Sequence, residues 1–164
     1  IASAQGRRYG LVHIATHGQL VAGAGLLAHL KLFDDDLLVD EVADLRLDGA
    51  LVVLATCDGA IGETLPGEDL LSLNRSLLAA GAHDVIASLW QLYDLMVIPL
   101  LDSLYAALAA GMSAPEALAQ TQRACIAAGR RDASACQTSP LVWASLCVVG
   151  AGSSRLISLL PRQT

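Results

Sequence analysis

A histidine and a cysteine, two residue types that support covalent catalysis, each follow an apolar segment. His17 follows YGLVHIAT, and Cys57 follows LVVLAT. A cysteine attacks a carbonyl as the thiolate, and a neighbouring imidazole promotes that ionisation. The same imidazole, once protonated, can return its proton to a leaving amine. The pair therefore suits cleavage of an acyl bond through a thioester, provided that the fold brings the two residues together across forty positions of sequence.

The two apolar segments are the elements that must position this pair. Residues 9–15 and 51–54 are rich in apolar side chains, as is typical of strands buried on both faces of a parallel sheet. Parallel strands end at the same edge, where ligands collect in open α/β sheets. We therefore expect Cys57 just past its strand on a glycine-rich loop, facing His17. The N–H groups of Gly18 and Cys57 are predicted to form an oxyanion hole.

Each of these residues also has a plain structural explanation when it is taken alone. A single cysteine after a strand is commonly a core or loop residue, and a single histidine at a strand end is equally ordinary. His13 and His17 have the spacing H-x-x-x-H, but metal binding by that spacing expects a helix. Because this segment is predicted to be a strand, we expect His13 to be a core histidine. His29 and His83 are expected to be structural or exposed.

The cysteines do not suggest a metal site or a disulfide framework. The chain has four, Cys57, Cys125, Cys136 and Cys147, with no CxxC pair and no metal-ligand spacing with the histidines. Cys125 and Cys147 lie in apolar segments and are predicted to be buried small hydrophobes. No secretory signal opens the chain, so reduced thiols and a cytoplasmic location are expected. Since the first residue is not Met, we expect a piece of a longer protein.

The composition indicates a single α/β domain over residues 1–164. The chain is 54% hydrophobic and 16% charged, with a mean hydropathy of +0.54, which suits helices packed on a buried sheet. The net charge is −6 and there is one lysine, so no basic stripe exists to bind nucleic acid. No uncharged window is apolar enough to predict a membrane span.

The order of strand and helix patterns predicts a mostly parallel sheet with helices on both faces. Capping residues mark several helix ends: Asp40 and Asp69 at helix starts, Gly81 after a helix, and the box of Ser113 and Glu116. The predicted strands are 9–15, 26–33, 37–39, 51–54, 84–89 and 141–149, and the predicted helices are 40–45, 70–80, 95–110 and 114–128.

Five motifs in order resemble the CHAT domain. They are HIATHG, LVVLATCDGAIG, SLLAAGAHDVIASLWQLYD, LYAALAAGMSAPEALAQTQRA and SPLVWASLCVVG, and the resemblance spans residues 9–150. That family belongs to the caspase-like clan of cysteine peptidases, with separase, gingipain and the caspases as relatives. The resemblance implies a three-layer caspase-like fold, with a mostly parallel sheet flanked by helices. It also implies that the N-terminal part of a full domain is absent from this chain.

The resemblance also implies roles for individual residues. His17 and Cys57 match the catalytic dyad, and Gly18 with the Cys57 amide matches the oxyanion hole. Asp94 follows a Ser-Leu-Trp motif and matches an acid that lines the pocket for a basic side chain before the scissile bond. An alternative role for Asp94 is capping the helix that begins there.

Two neighbours of this site complete the implied substrate-binding set. Asp58 stands where family members usually have Glu, and it is either a pocket acid or a solvated loop residue. Trp90 is either a pocket wall or a core aromatic, as is Trp143. The segment LMVIP after Asp94 departs from the family pattern, so the pocket loop could be remodelled.

The first functional hypothesis is a cysteine endopeptidase without a cofactor. It would cleave a protein or peptide substrate, with no part for nucleic acid or membrane, and tetratricopeptide-type repeats in the same or a partner chain would gate it. The second hypothesis is a catalytically inactive module that serves as a protein-interaction scaffold. A flavodoxin-like small-molecule binder is disfavoured, because no phosphate-cradling glycine fingerprint follows the first strand.

Overall fold

Six strands and five helices occupy the part of the chain that this computed structural model describes, residues 9–19, 29–33, 36–58, 68–90, 94–131 and 139–155. None of the helices in these ranges is long and apolar enough to cross a membrane. In chain order the elements are β1 Leu11–Gln19, β2 His29–Lys31, β3 Asp36–Leu38, α1 Val39–Ala43, β4 Leu51–Asp58, α2 Glu68–Ala79, β5 Asp84–Ser88, α3 Asp94–Ala109, α4 Ala114–Gly129, α5 Pro140–Trp143 and β6 Leu146–Gly150.

The strands form one sheet in the order β3-β2-β1-β4-β5-β6. The central strands β1, β4 and β5 are parallel, whereas β2 is antiparallel to β1, β3 to β2, and β6 to β5. Four strands therefore run in one direction, and β2 and β6 run in the other. The predicted α/β fold with a mostly parallel sheet is confirmed.

Helices cover both faces of the sheet. Leu51 and Val53 of β4 pack with α3 and α4, while Val52 and Leu54 pack with α1 and α2. All four side chains are fully buried, because both faces are covered and successive strand residues alternate between them. This explains why residues 51–54 form a continuous apolar run.

The predicted helix ends are confirmed where a local hydrogen bond defines them. Gly81 follows α2 with a φ of +98°, a left-handed conformation that glycine adopts without steric cost. At the start of α4, the Glu116 carboxylate accepts hydrogen bonds from the Ser113 N–H at 2.9 Å and from its hydroxyl at 2.8 Å. The first of these bonds is the half of a capping box in which the N3 glutamate accepts from the N-cap N–H.

Other predicted boundaries were wrong. The first helix begins at Val39, so Asp40 lies inside it, and the Glu41 carboxylate accepts from the N–H of Leu38 at 2.9 Å. The second helix begins at Glu68, which places Asp69 inside it as well. An acidic residue is favourable both at the cap and in the first turn of a helix, so its presence does not fix the first helical residue.

The predicted strand 141–149 is divided in the structure. Its first part is the short helix α5, where the Ser139 hydroxyl accepts from the N–H of Leu141 at 3.3 Å and Pro140 occupies the first helical turn. Only the second part forms β6. Proline after a serine cap favours a helix start, and this local signal prevailed over the apolar run that follows.

A buried carboxylate anchors the chain where it leaves β6. Asp84, at the start of β5, is fully buried and accepts hydrogen bonds from the N–H groups of Gly152 at 2.6 Å and Ser154 at 2.8 Å. Gly150 has a φ of +141°, and a Cβ at that position would lie 2.5 Å from an Asp84 carboxylate oxygen. Only glycine therefore permits this close approach.

The environment of Asp84 favours its ionised form. Burial acts to raise the pKa of the carboxyl, but hydrogen bonds from Ser154, from the Gly152 amide and from His83 outweigh it, and the pKa is lowered. A folded-state pKa below that of the unfolded chain stabilises the fold above the unfolded value. That contribution is lost as the pH falls through the folded-state value.

We expect Asp84→Ala to lower the free energy of unfolding by about 3 kcal/mol at pH 7, because a buried and a partly buried N–H donor lose their charged acceptor. The control Asp48→Ala removes an exposed acid from the nearby turn and should cost less than about 0.5 kcal/mol. Urea unfolding at several pH values measures both. The difference between wild type and Asp84→Ala should shrink below about pH 4; a difference that is constant down to pH 2 would contradict the assignment.

Candidate functional site

His17 and Cys57 lie opposite each other on neighbouring strands. The parallel pairing of β1 with β4 runs from Leu11 opposite Leu51, through His17 opposite Cys57, to Gly18 opposite Asp58. Neighbouring strands lie about 4.8 Å apart, so the two backbones are adjacent although their residues are forty positions apart in sequence. The sheet therefore brings together the residues that sequence reasoning predicted to act together.

Both residues occupy positions on the face of the sheet that α3 and α4 cover. Leu51 and Val53 of β4 pack in the core cluster with these two helices, and position 57 follows them in the two-residue alternation of a strand. In β1, Leu11 packs on the same cluster, and position 17 lies an even number of residues after it, on the same face of the strand. Residues paired in register share a face of the sheet, so both strands assign positions 17 and 57 to the face that α3 and α4 cover.

The strands extend further than predicted at this edge. Cys57 belongs to β4 and His17 to β1, so the expectation that Cys57 would lie just past its strand was wrong. Strand pairing is a tertiary interaction that stabilises residues of low strand propensity. Nearby, the Thr16 hydroxyl donates a hydrogen bond to the carbonyl of Lys31, which ties β2 to the end of β1.

The extended pairing also affects the predicted oxyanion hole. The Leu51 N–H donates to the Gly10 carbonyl at 3.0 Å, and alternate residues of a parallel strand face the same neighbour. By this alternation the Cys57 N–H faces the Thr16 carbonyl, and the Gly18 N–H faces the Cys57 carbonyl. The two predicted donors thus lie within the ladder in this conformation.

Asp94 is the first residue of α3, which runs back along the sheet from this edge. The His13 and Tyr105 rings lie with their centroids 5.7 Å apart, which fixes the height of the helix against β1. From Tyr105 back to Asp94 is eleven residues, about 16 Å of helix, and from His13 to His17 is four residues, about 13 Å of strand. Asp94 therefore stands at about the height of His17 along the sheet.

Trp90 lies on the segment that follows β5 at the same edge. Its indole N–H donates to the Leu141 carbonyl at 2.8 Å, which joins this segment to α5. The Trp90 side chain is 38% exposed and Leu141 is 71% exposed. Trp90 is thus a partly exposed aromatic and not a core residue. Leu141 was not predicted as part of this surface, because the strand predicted for its segment is a helix.

The other histidine of β1, His13, contacts an aromatic ring of α3. His13 is exposed and stacks at an angle on Tyr105, so its prediction as a core histidine was wrong. Among the described residues, β2 pairs with β1 only at Gly18 and Gln19, which leaves the His13 side of the strand open. Partial burial still lowers the His13 pKa. Within the described ranges, no cluster of histidine, cysteine and acidic residues could hold a metal ion.

Two other cysteines are poorly suited to nucleophilic chemistry. Cys125 is buried, as predicted, and Cys147 is half-buried. Burial raises the pKa of both thiols, and for Cys147 a backbone hydrogen bond to Ala87 offsets part of this effect. Since the thiolate is the reactive form, these two side chains favour the inert thiol. The predicted loop between β4 and α2, like Cys136, lies outside the described residues.

Comparison with known proteins identifies the family. The motifs predicted a caspase-like fold, with helices on a mostly parallel sheet and with histidine and cysteine on adjacent strands, and the structure has this arrangement. The family model for the CHAT domain matches residues 1–151, so the chain belongs to the CHAT domain family, within the caspase-like clan of cysteine peptidases. No curated protein matches the chain at a significant level.

The ladder at this edge can be tested by amide hydrogen exchange. We expect the amides of Gly18 and Cys57 to exchange at least about 100-fold more slowly than the amide of Ser153, for which the described residues offer no acceptor, because paired strand amides exchange only when the ladder opens. The Val53 amide, in the middle of β4, serves as the slow reference. Exchange of Gly18 and Cys57 as fast as that of Ser153 would mean that the final rungs are open.

Proposed function

We propose that the chain is the catalytic portion of a cysteine endopeptidase that uses His17 and Cys57. The observation that carries the proposal is their register pairing on adjacent parallel strands, in a chain of a family within a cysteine-peptidase clan. Register partners on adjacent strands have neighbouring backbones, which supports the approach of an imidazole to a thiol that the proposed activation requires. No cofactor takes part in the proposed reaction.

The reaction has two halves. The Cys57 thiol transfers its proton to His17, and the thiolate attacks the scissile carbonyl carbon to form a tetrahedral intermediate. His17 then protonates the amine as the carbon–nitrogen bond breaks, which leaves an acyl thioester on Cys57. Water attacks the thioester with His17 as general base, and the carboxylic acid leaves as the thiol is restored.

Asp94 is the proposed partner of a basic side chain before the scissile bond. Its support is the position of Asp94 at the start of α3, at about the height of His17. A carboxylate there would form a charge-assisted pair with a guanidinium or ammonium group. Asp58, in register with Gly18, and the partly exposed Trp90 are proposed to flank the bound peptide.

The hydrogen-bond ladder between β1 and β4 suggests how the proposed gating could work physically. An oxyanion hole built from Gly18 and Cys57 requires their N–H groups to point at the substrate, whereas the ladder directs them at Thr16 and Cys57 carbonyls. We propose that the last rungs between β1 and β4 open when a partner, such as tetratricopeptide-type repeats in a longer chain, acts on this edge. Opening two terminal rungs is the kind of local event that proteins undergo at low free energy.

An Arg-containing acyloxymethylketone probe, which loses a carboxylate when the thiolate is alkylated by its methylene carbon, tests the dyad. We expect the intact chain to be alkylated at Cys57, and we expect Cys57→Ala and His17→Ala to lower the labelling rate by more than about 1,000-fold, because members of a catalytic unit act together. Mass spectrometry of peptides locates the label. His13→Ala, on the same strand, and Cys147→Ala, on β6, are matched controls and should label like wild type.

The alternative of an inactive interaction module predicts a different outcome. In that case labelling would be absent, or equal in the wild type and in His17→Ala, both alone and after addition of upstream repeats. Labelling of Cys147 in preference to Cys57 would likewise overturn the peptidase. The second candidate is favoured by one observation only, the closed ladder at the Gly18 and Cys57 amides.

Substitution of Asp94 tests the preference for a basic residue. We expect Asp94→Asn to reduce labelling by the Arg probe about 10- to 100-fold and to leave labelling by the isosteric citrulline probe nearly unchanged, because only the charged side chain loses its partner. Asp102→Asn, an exposed acid two turns later on α3, is the matched control and should change neither rate. Equal losses with both probes would show that Asp94 acts on the fold and not on charge recognition.

A further inference from the structure

A serine, a histidine and an aspartate contact one another in series at the edge of the sheet opposite His17 and Cys57. The His83 Nδ1 atom lies 3.2 Å from an Asp84 carboxylate oxygen, and the His83 Nε2 atom lies 3.4 Å from the Ser153 hydroxyl. His83 and Asp84 stand at the start of β5, and Ser153 follows β6. No motif in the sequence joins the three, because 70 positions separate Ser153 from His83.

The carboxylate determines how the imidazole can act. Hydrogen bonds hold the Asp84 pKa below its ordinary value, so Asp84 is ionised at neutral pH. Among the described residues, Asp84 is the charged group that contacts the His83 ring. An ionised acceptor at Nδ1 favours the tautomer that carries its proton there, and the lone pair at Nε2 is then directed at the Ser153 hydroxyl. This is the division of roles in which aspartate orients, histidine accepts a proton and serine attacks.

The turn that carries Ser153 is fixed on both sides. The N–H groups of Gly152 and Ser154 donate to Asp84, and the Arg155 guanidinium donates to the Gly111 carbonyl at 2.8 Å and contacts Glu116 at 3.4 Å. Ser153 itself is exposed, so a reactant can reach its hydroxyl. Its N–H has no acceptor among the described residues, which provides one donor for a developing oxyanion.

An open groove of about 580 Å³ borders this turn. Its lining includes Pro115, which lies 3.5 Å from the position that a Cβ on Gly152 would take, and Arg155, two residues after Ser153. Met112 and Ala119 contribute apolar surface. A volume of this size is within the range of small-molecule sites, and the groove begins next to the turn, although Ser153 is not among its lining residues.

We propose that Ser153 is a second nucleophile, which accepts acyl groups from small activated esters with His83 as its base and Asp84 as a positioning residue. Ser153 Oγ forms a bond to the acyl carbon while its proton passes to His83 Nε2. The carbon–oxygen bond to the leaving group then breaks, and the leaving alcohol or phenol takes that proton. With a single oxyanion donor, the acceleration is expected at the low end for general base catalysis, about 100-fold.

A fluorophosphonate probe tests the proposal in the full chain carrying Cys57→Ala, so the result is independent of the cysteine peptidase. Attack by Ser153 forms an oxygen–phosphorus bond and releases fluoride. We expect the label on Ser153, located by peptide mass spectrometry, with a rate about 100-fold above that of Ser153→Ala. Ser103→Ala, which changes a serine on α3, is the control and should retain the label on Ser153.

Two further variants separate chemistry from structure. In His83→Gln the labelling rate should fall to the Ser153→Ala background even where circular dichroism shows an unchanged fold, because Ser153 loses its base. In Asp84→Asn the rate should fall and the ¹⁵N chemical shifts of the His83 ring should report a change of tautomer, because the ionised acceptor at Nδ1 is gone. A label on another serine, a rate unaffected by His83→Gln, or no label above the Ser153→Ala background would overturn the proposal.

Discussion

The parallel pairing of β1 with β4 is the constraint on which the rest of the structure depends. It runs in register from Leu11 opposite Leu51 to Gly18 opposite Asp58, and it is the contact that places His17 beside Cys57. Neither residue is brought there by local sequence, since each stands at the end of its own strand. A slip of one residue in this register would transfer one member of the pair to the other face of the sheet. The buried alternation of Leu51, Val52, Val53 and Leu54 between two helical layers opposes such a slip.

The same pairing contains a conflict between stability and chemistry. Backbone N–H groups in a sheet are stabilised by pairing, but an oxyanion hole needs N–H groups that are directed at substrate. In this conformation the ladder includes the amides of Gly18 and Cys57, so the proposed peptidase requires the end of its own sheet to open. Under the proposed gating, opening this edge would be the physical task of a partner.

The two edges of the sheet differ in how they are secured. At the edge that bears His17 and Cys57, single side-chain hydrogen bonds hold the segments, from the Thr16 hydroxyl to the Lys31 carbonyl and from the Trp90 indole to the Leu141 carbonyl. At the opposite edge the buried Asp84 carboxylate holds the turn after β6 with two backbone N–H groups and the His83 ring. Burial of the Asp84 carboxylate makes this second arrangement costly to break, because its donors would lose a charged acceptor. One edge is thus firmly closed while the other retains partly exposed apolar side chains.

The sequence alone determined the fold class, the family and the candidate histidine and cysteine after two apolar segments, because these depend on apolar periodicity and on motif order along the chain. The Ser113 capping box and the helix end at Gly81 could also be predicted from the sequence, because each depends on residues close together in the chain. Only the tertiary structure decided the extent of β1 and β4, the short helix at Pro140 and the exposed position of His13, since each depends on what pairs with or covers the residue. The contact of Ser153 with His83 and Asp84 belongs to this second group as well. This contact forms where the chain leaves β6 beside the start of β5. No local pattern in the sequence predicts which turn will contact which strand.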